Sequence, residues 1–325
     1  MEARNSSVVL KSAPQITTSV KIRQMTRKNL RIRAYAKINL NLRILGLRRD
    51  GMHELRTILQ TIDLYDTLTF TQRLGPFKLL SANSEIPTDK TNLIWRAAKS
   101  IVSGPGRGGD RLNNLSVSLI KRIPLQAGLG GGSADAAATL IVLDRLRKLK
   151  TRSEMLHTLA ADLGADVPFF LVGGTAVGFG LGDEIYPLID LPKYWVVLLI
   201  PPFGVSTGDA YNWYDSVKSQ SHRRSPGVLP LGNSAFAQVV RMVNDLEAPV
   251  VERFESIGKM KMALEQAGAM AAGMSGSGSS VFGLFRSLAR AKKAATGLAT
   301  SGQQVILTRT LSRNEYVRRS AVRVV

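Results

Sequence analysis

The amino-acid sequence predicts an α+β protein of two domains, and three features carry that expectation. Segments with the two-residue alternation of strands mix with segments of helical period, without strict βαβ alternation. Two glycine-rich turns, at residues 128–132 and 275–280, each lead directly into regular structure. At 325 residues the chain is long enough to build two cores.

Residues 1–30 are rich in Ser, Thr, Lys and Arg and lack strong periodicity. They resemble a transit peptide in composition only, and read as a disordered basic extension or as sequence ahead of a later start such as Met25. From Ala34 to Ile44 the pattern alternates. Ala36, Ile38, Leu40, Leu42 and Ile44 share one face, and Tyr35, Lys37, Asn39, Asn41 and Arg43 the other. That predicts a strand with one core face and one polar face. Arg48–Gly51 makes a turn, and residues 55–71 read as further β structure interrupted at Asp63 and Asp66. Asn92 to Ser103 is expected as a helix ended by glycines at 104, 106, 108 and 109, and Leu115 to Ile120 as a strand. A helix rich in Ala and Leu should run from Asp135 to about Leu149, and another from Ser153 to Leu163. Gly164 to Pro168 is a loop before the apolar run Phe169–Val172. Short strands joined by glycine turns are expected over 175–189, and a buried strand over Trp195–Ile200. Residues 216–230 read as a loop. Helices are expected over Ala235–Phe254, Ile257–Gln266 and 288–299. Strands over 281–285 and Gln304–Thr308 complete the pattern. The domain boundary is expected between Leu181 and Pro192, giving units of 31–185 and 186–325.

Composition excludes several classes of function. There is no cysteine, hence no disulfide, thiolate metal site or cysteine nucleophile. His53, His157 and His222 are far apart, which argues against a His-rich metal site. No apolar run approaches the roughly 18 residues of a membrane span. The formal charge of +20 suits a nucleic-acid binder or an enzyme of polyanionic substrates. Because the basic residues are scattered, with concentrations only at the two ends, nucleic acid is not the expected partner.

The strongest local signal for chemistry is Pro124-Leu125-Gln126-Ala127-Gly128-Leu129-Gly130-Gly131-Gly132-Ser133-Ala134. Glycines let main-chain N–H groups approach an anion, and a helix that begins just after adds its own N–H groups and dipole. No Gly-Lys-Ser/Thr follows, so this is not a Walker A loop. Lys37 sits on the polar face beside Asn39 and reads either as a solvated lysine or as a cation lining a cleft. Asp166 reads either as a turn aspartate or as a carboxylate that accepts a hydroxyl proton. His53, alone, reads as a surface histidine.

Taken together, these segments resemble a known family. Ala36-Lys37-Ile38-Asn39-Leu40, residues 124–134, and Gly273-Met-Ser-Gly-Ser-Gly-Ser-Ser-Val-Phe282 resemble, in order, the three motifs of the GHMP kinases. Asp50-Gly-Met-His-Glu-Leu55, Asn92-Leu-Ile with Arg96-Ala-Ala98, Lys121-Arg-Ile-Pro124, Leu163-Gly-Ala-Asp-Val-Pro-Phe169 and Asn244-Asp-Leu-Glu247 resemble the diphosphocytidyl-methylerythritol kinases within them. The resemblance covers about residues 31–308.

That resemblance implies a first domain like the second domain of ribosomal protein S5 and a ferredoxin-like second domain. It implies a cytoplasmic enzyme, a monomer or homodimer, that uses ATP and Mg²⁺ to phosphorylate a cytidyl diphosphate alcohol. Asp166 would be the catalytic base and Lys37 the cation that steers the hydroxyl. Residues 124–134 would hold the ATP phosphates, with Ser133 touching phosphate or Mg²⁺, and Asn92 would lie near adenine. Asn39 would hold the methylerythritol end, His53 would hydrogen-bond cytosine and Tyr211 would stack on it. Met52 stands where the family usually has tyrosine, leaving a thioether as the other half of that sandwich. Other GHMP kinases, of homoserine or mevalonate, lack the His53-Glu54-Leu55 and Tyr211 features.

Overall fold

The computed structural model describes residues 29–103, 112–220, 242–299 and 302–325. The expected basic extension up to residue 28, the glycines at 104–109, His222 and the expected loop beyond 220 lie outside them, as does the helix expected from Ala235 as far as residue 241.

The first sheet is built on a long antiparallel hairpin of β1 (Asn29–Leu47) and β2 (His53–Gln72). One half of β2 pairs with β4 (Leu115–Ile120), which in turn pairs with β3 (Lys78–Ser81). The other half of β2 pairs with β5 (Thr175–Phe179), which carries β6 (Glu184–Pro187). Helices α1 (Leu93–Val102), α2 (Gly131–Arg147) and α3 (Ser153–Leu163) bury their apolar faces with Leu59, Leu68, Phe70 and Val117 in one core. The Gly164–Pro168 loop then gives a single helical turn, α4 (Phe169–Val172), whose Phe169 and Phe170 join that core.

The second sheet has the order β10-β7-β9-β8, from β7 (Trp195–Ile200), β8 (Ala271–Met274), β9 (Val281–Phe285) and β10 (Gln304–Arg309), with every pair antiparallel. Helix α5 (Thr207–Gln220) follows β7, α6 (Glu247–Arg253) and α7 (Glu255–Gln266) precede β8, and α8 (Leu288–Leu298) joins β9 to β10. This is the split βαβ order of a ferredoxin-like unit.

Three expectations are corrected. The polar face of β1 is not solvated: Lys37 is 3% and Asn39 5% exposed, because the loop at 127–130 and the turn at 275–280 cover it. The apolar face of β1 is also covered, since Ala36, Ile38 and Leu40 pack with Val196, Leu198 and Phe282 of the second sheet. Second, Asp66 does not interrupt β2. It is fully buried, and its carboxylate accepts from the backbone N–H groups of Arg122 and Ile123 and from Lys121. Third, the chain does not finish at β10. Helix α9 (Arg313–Arg319) and β11 (Arg323–Val324) follow, and β11 pairs with β1. The signal for α9 was present as Ser312 and Glu315, which form a capping box.

Candidate active site

Three segments from distant parts of the chain converge on Lys37. Its backbone N–H donates to Leu129 O at 3.0 Å, joining β1 to the glycine loop. Ser275 Oγ donates to Gly128 O at 2.9 Å and accepts from the Asn39 N–H at 3.2 Å. Ser280 Oγ donates to Ala127 O at 2.5 Å. These serines tie the third glycine turn to the first loop. The fit leaves no room for side chains. A Cβ at Gly128, where φ is +70°, would stand 2.0 Å from Ser275 O. One at Gly130, at φ +69°, would meet Phe170 Cζ at 2.8 Å and Lys37 Cγ at 3.0 Å.

Gly130 is the N-cap of α2, which opens four residues earlier than expected because the glycines themselves form its first turn. No side chain caps this N-terminus, so its N–H groups remain for a ligand. Beneath it Lys121 donates to Asp66 at 2.6 Å and to Asp135 at 2.7 Å, all three side chains being nearly inaccessible. Burial pushes the Asp135 carboxyl up to about 7, and the charge of Asp66 adds to that shift while Lys121 opposes it. Asn92 caps α1: its Oδ1 accepts from the Ile94 N–H at 2.8 Å and its Nδ2 donates to Pro87 O at 2.7 Å. The amide is therefore occupied by its own loop, although neighbouring Leu93 Cδ1 lies 3.5 Å from where a Cβ of Gly132 would stand.

The Lys37 ammonium is held between two acceptors. It donates to Asn39 Oδ1 at 2.6 Å and faces Asp166 Oδ2 at 3.3 Å. Asn39 Nδ2 donates to Thr57 Oγ1 at 2.8 Å, and Thr57 Oγ1 to Asn41 O at 2.8 Å, so the pair is anchored through β2. The Lys37 side chain is 4% exposed and that of Asp166 39%, so the carboxylate forms the open side of the pair. The arrangement suits a carboxylate that accepts a proton from an incoming group while a buried cation holds it in place.

The other expected residues form a second cluster. His53, the first residue of β2, stacks on Tyr211 of α5 with ring centroids 4.9 Å apart and planes at 23°. Tyr211 is near enough to Asp166 for that charge to matter: burial first, and then Asp166, push its phenol upward, so it stays neutral. Met52 is half-exposed in the hairpin turn, its N–H donating to Asp50. The ring that lies against Tyr211 is thus that of His53. Sequence reasoning passed over Thr57 and Asp135, gave Lys121 and Ser275 no individual role although both lie in family-like segments, and also passed over Asp215, whose Oδ1 is 2.9 Å from His53 Nε2. The position of Asp215, one helical turn after Tyr211, was the available signal.

Residues 92–174 match the model of the GHMP kinase N-terminal domain, and residues 231–304 that of the GHMP kinase C-terminal domain. The chain is 40% identical to the 4-diphosphocytidyl-2-C-methyl-D-erythritol kinase of Moorella thermoacetica, over 87% of this chain and 99% of the relative. It is 39% identical to the enzyme of that name from Syntrophus aciditrophicus, over 84% of this chain and 96% of the relative. A crystal structure of a 4-(cytidine 5'-diphospho)-2C-methyl-D-erythritol kinase superposes with a TM-score of 0.73 at 31% identity, covering 86% of this chain and 98% of that one. The chain therefore belongs to the GHMP kinases and, within them, to the 4-diphosphocytidyl-2-C-methyl-D-erythritol kinase family.

Proposed function

We propose that the chain transfers the γ-phosphoryl group of ATP to the 2-hydroxyl of 4-diphosphocytidyl-2-C-methyl-D-erythritol, with Asp166 as the base. The observation that carries this reading is the Lys37–Asp166 pair, 3.3 Å apart, beside an uncapped helix N-terminus and a glycine loop with no room for side chains. In phosphoryl transfer the protein supplies positioning and charge stabilisation more than covalent chemistry. Asp166 would take the proton of the attacking hydroxyl as the new P–O bond forms and the bond to ADP breaks. Lys37 would hold Asp166 and the hydroxyl in register. Its charge would also offset negative charge on the group in transit.

Residues 124–134 would bind the ATP phosphates through main-chain N–H groups and the dipole of α2. Adenine would lie toward the start of α1, meeting the helix end rather than the occupied amide of Asn92. Asn39 would hold the methylerythritol end, and His53 and Tyr211 would receive the cytosine, with Met52 at its edge. Mg²⁺ suits this donor set as a companion of ATP. Among the described residues no three His, Cys, Asp or Glu side chains gather into a cage, and Mg²⁺ characteristically keeps substrate phosphates and water as ligands. Ser133, in the first turn of α2, would offer it a hydroxyl, and bound there it would neutralise phosphate charge. ATP use fits a cytoplasmic setting. Among the described residues no helix is long and apolar enough to cross a membrane.

A coupled ADP-release assay over a panel of alcohols tests the reading. ADP should appear with the cytidyl diphosphate alcohol and not with homoserine or mevalonate. Turnover of either of those in preference to it would overturn the assignment.

A further inference from the structure

The turn that follows Asp166 is held from behind by a side chain that the proposed reaction leaves without a task. Tyr316 of α9 is buried, and its hydroxyl donates to Phe170 O. Burial, and then the neighbouring Tyr35, push its phenol upward, so the hydroxyl keeps the proton it donates. The ring lies on Gly173, where a Cβ would stand 2.1 Å from Tyr316 Cδ1, and it meets Tyr35 of β1 edge-on at 6.0 Å. The helix that carries it is fastened at its start. The Arg313 N–H donates to Asp190 Oδ2 at 2.8 Å, and the Arg313 guanidinium donates to Thr175 O at 2.6 Å. Tyr316 thus reaches Phe170 from an anchored helix.

Phe170 in turn reaches both halves of the Lys37–Asp166 pair. Its N–H donates to Val167 O at 3.1 Å, and Val167 directly follows Asp166. Its ring is buried and closes on the N-cap of α2 at the point where Lys37 also packs. Phe170 Cζ and Lys37 Cγ stand 2.8 and 3.0 Å from where a Cβ of Gly130 would be. A movement of Phe170 would therefore shift the half-open carboxylate of Asp166 against the buried ammonium, 3.3 Å away. The glycine loop has ties of its own. Lys37 N–H donates to Leu129 O, and Ser275 and Ser280 donate to Gly128 O and Ala127 O.

We propose that Tyr316 is a positioning residue for the phosphoryl transfer: by holding Phe170, it sets the placement of Asp166 against Lys37. This rests on the reading of Asp166 as the base. Tyr316 touches neither substrate nor nucleotide in this scheme, so its effect falls on the rate of transfer and not on binding.

The test compares wild type with Tyr316→Phe, Phe170→Leu, the double variant and Asp166→Asn. Tyr316→Phe keeps the ring over Gly173 and removes only the hydroxyl. Its kcat should fall about tenfold, as expected when reacting groups are slightly misplaced. KM for the cytidyl substrate and the calorimetric affinity for ADP should stay within about twofold of wild type. Phe170→Leu keeps the carbonyl that accepts from Tyr316 and removes the ring. If Tyr316 acts through Phe170, the two losses in kcat do not multiply in the double variant. Multiplied losses would mean that Tyr316 acts by another route, which overturns the proposal. A Tyr316→Phe enzyme that melts earlier yet turns over like wild type well below its Tm does the same, since that is support of the fold alone. So does a loss of ADP affinity as large as the loss in kcat. Asp166→Asn separates the two levels. If it removes turnover while Tyr316→Phe leaves kcat unmoved, the base stands and the role of Tyr316 fails. If Asp166→Asn turns over like wild type, the reading of the base fails and the proposal with it.

Discussion

At the scale of single residues, the distinctive feature is a lysine that the sequence alone leaves either solvated or lining a cleft and that the fold encloses. A buried ammonium must be paired, and Lys37 has Asn39 and Asp166 as acceptors. Asp166→Asn keeps the shape but removes the proton acceptor. Turnover should fall by roughly 10²–10⁴-fold, with ATP binding retained. Steady-state kinetics beside calorimetric ATP titration would check this, and turnover close to wild type would remove Asp166 from the role of base. The residues that the sequence singled out for a proposed role were those with sequence neighbours of known kind, such as Lys37 in Ala36-Lys-Ile-Asn-Leu40. Thr57 gave no such signal, because a lone hydroxyl acquires meaning only from what it bonds.

At the scale of elements, α2 concentrates two demands. Under the proposed function its first turn must stay open to an anion, and its body must pack under the sheet. The buried Asp66–Lys121–Asp135 group links these, holding the start of α2 to the loop before it. Asp135 titrates at about 7 in the folded protein, well above an ordinary carboxyl. A folded pKa above the unfolded one means that the native state binds the proton more tightly. That contribution to stability is complete below about pH 4 and is lost as pH rises through about 7. Asp135→Asn does not titrate, so its stability relative to wild type should improve between pH 5 and pH 8. Urea unfolding at the two pH values measures the difference, and a constant gap would show that Asp135 has the same pKa folded and unfolded.

At the scale of the whole molecule, the end of the chain returns to brace the active-site half. Leu311 N–H donates to Thr61 O, and the Gln60 side chain donates to Leu311 O. Tyr316 of α9 packs edge-on to Tyr35, and its hydroxyl donates to Phe170 O, in the turn just after Asp166. Arg319 and Arg309 both pair with Asp63. Tyr316→Ala would empty a buried site and leave Phe170 O without its donor. A loss of about 3–5 kcal/mol is expected, as for other large aromatic truncations. Chemical denaturation would read this directly, and a loss below about 1 kcal/mol would show that the tail is not integral to the fold.

The sequence by itself determined the fold class and the kinase family, and it singled out Lys37, Asp166 and the glycine loop as the segments proposed for the chemistry. Those rest on local period and on short motifs, which survive without knowledge of contacts. What only the tertiary structure decided is which faces are covered. The alternation of β1 predicts one wet face, yet the loop and the third turn enclose it through hydrogen bonds spanning more than two hundred residues, such as Asn39 N–H to Ser275 Oγ. The same holds for Asp215, 162 positions from His53, and for α9, whose capping box was legible but whose docking on Tyr35 was not. Burial and partnership belong to the meeting of distant segments, and no local pattern encodes which segment arrives.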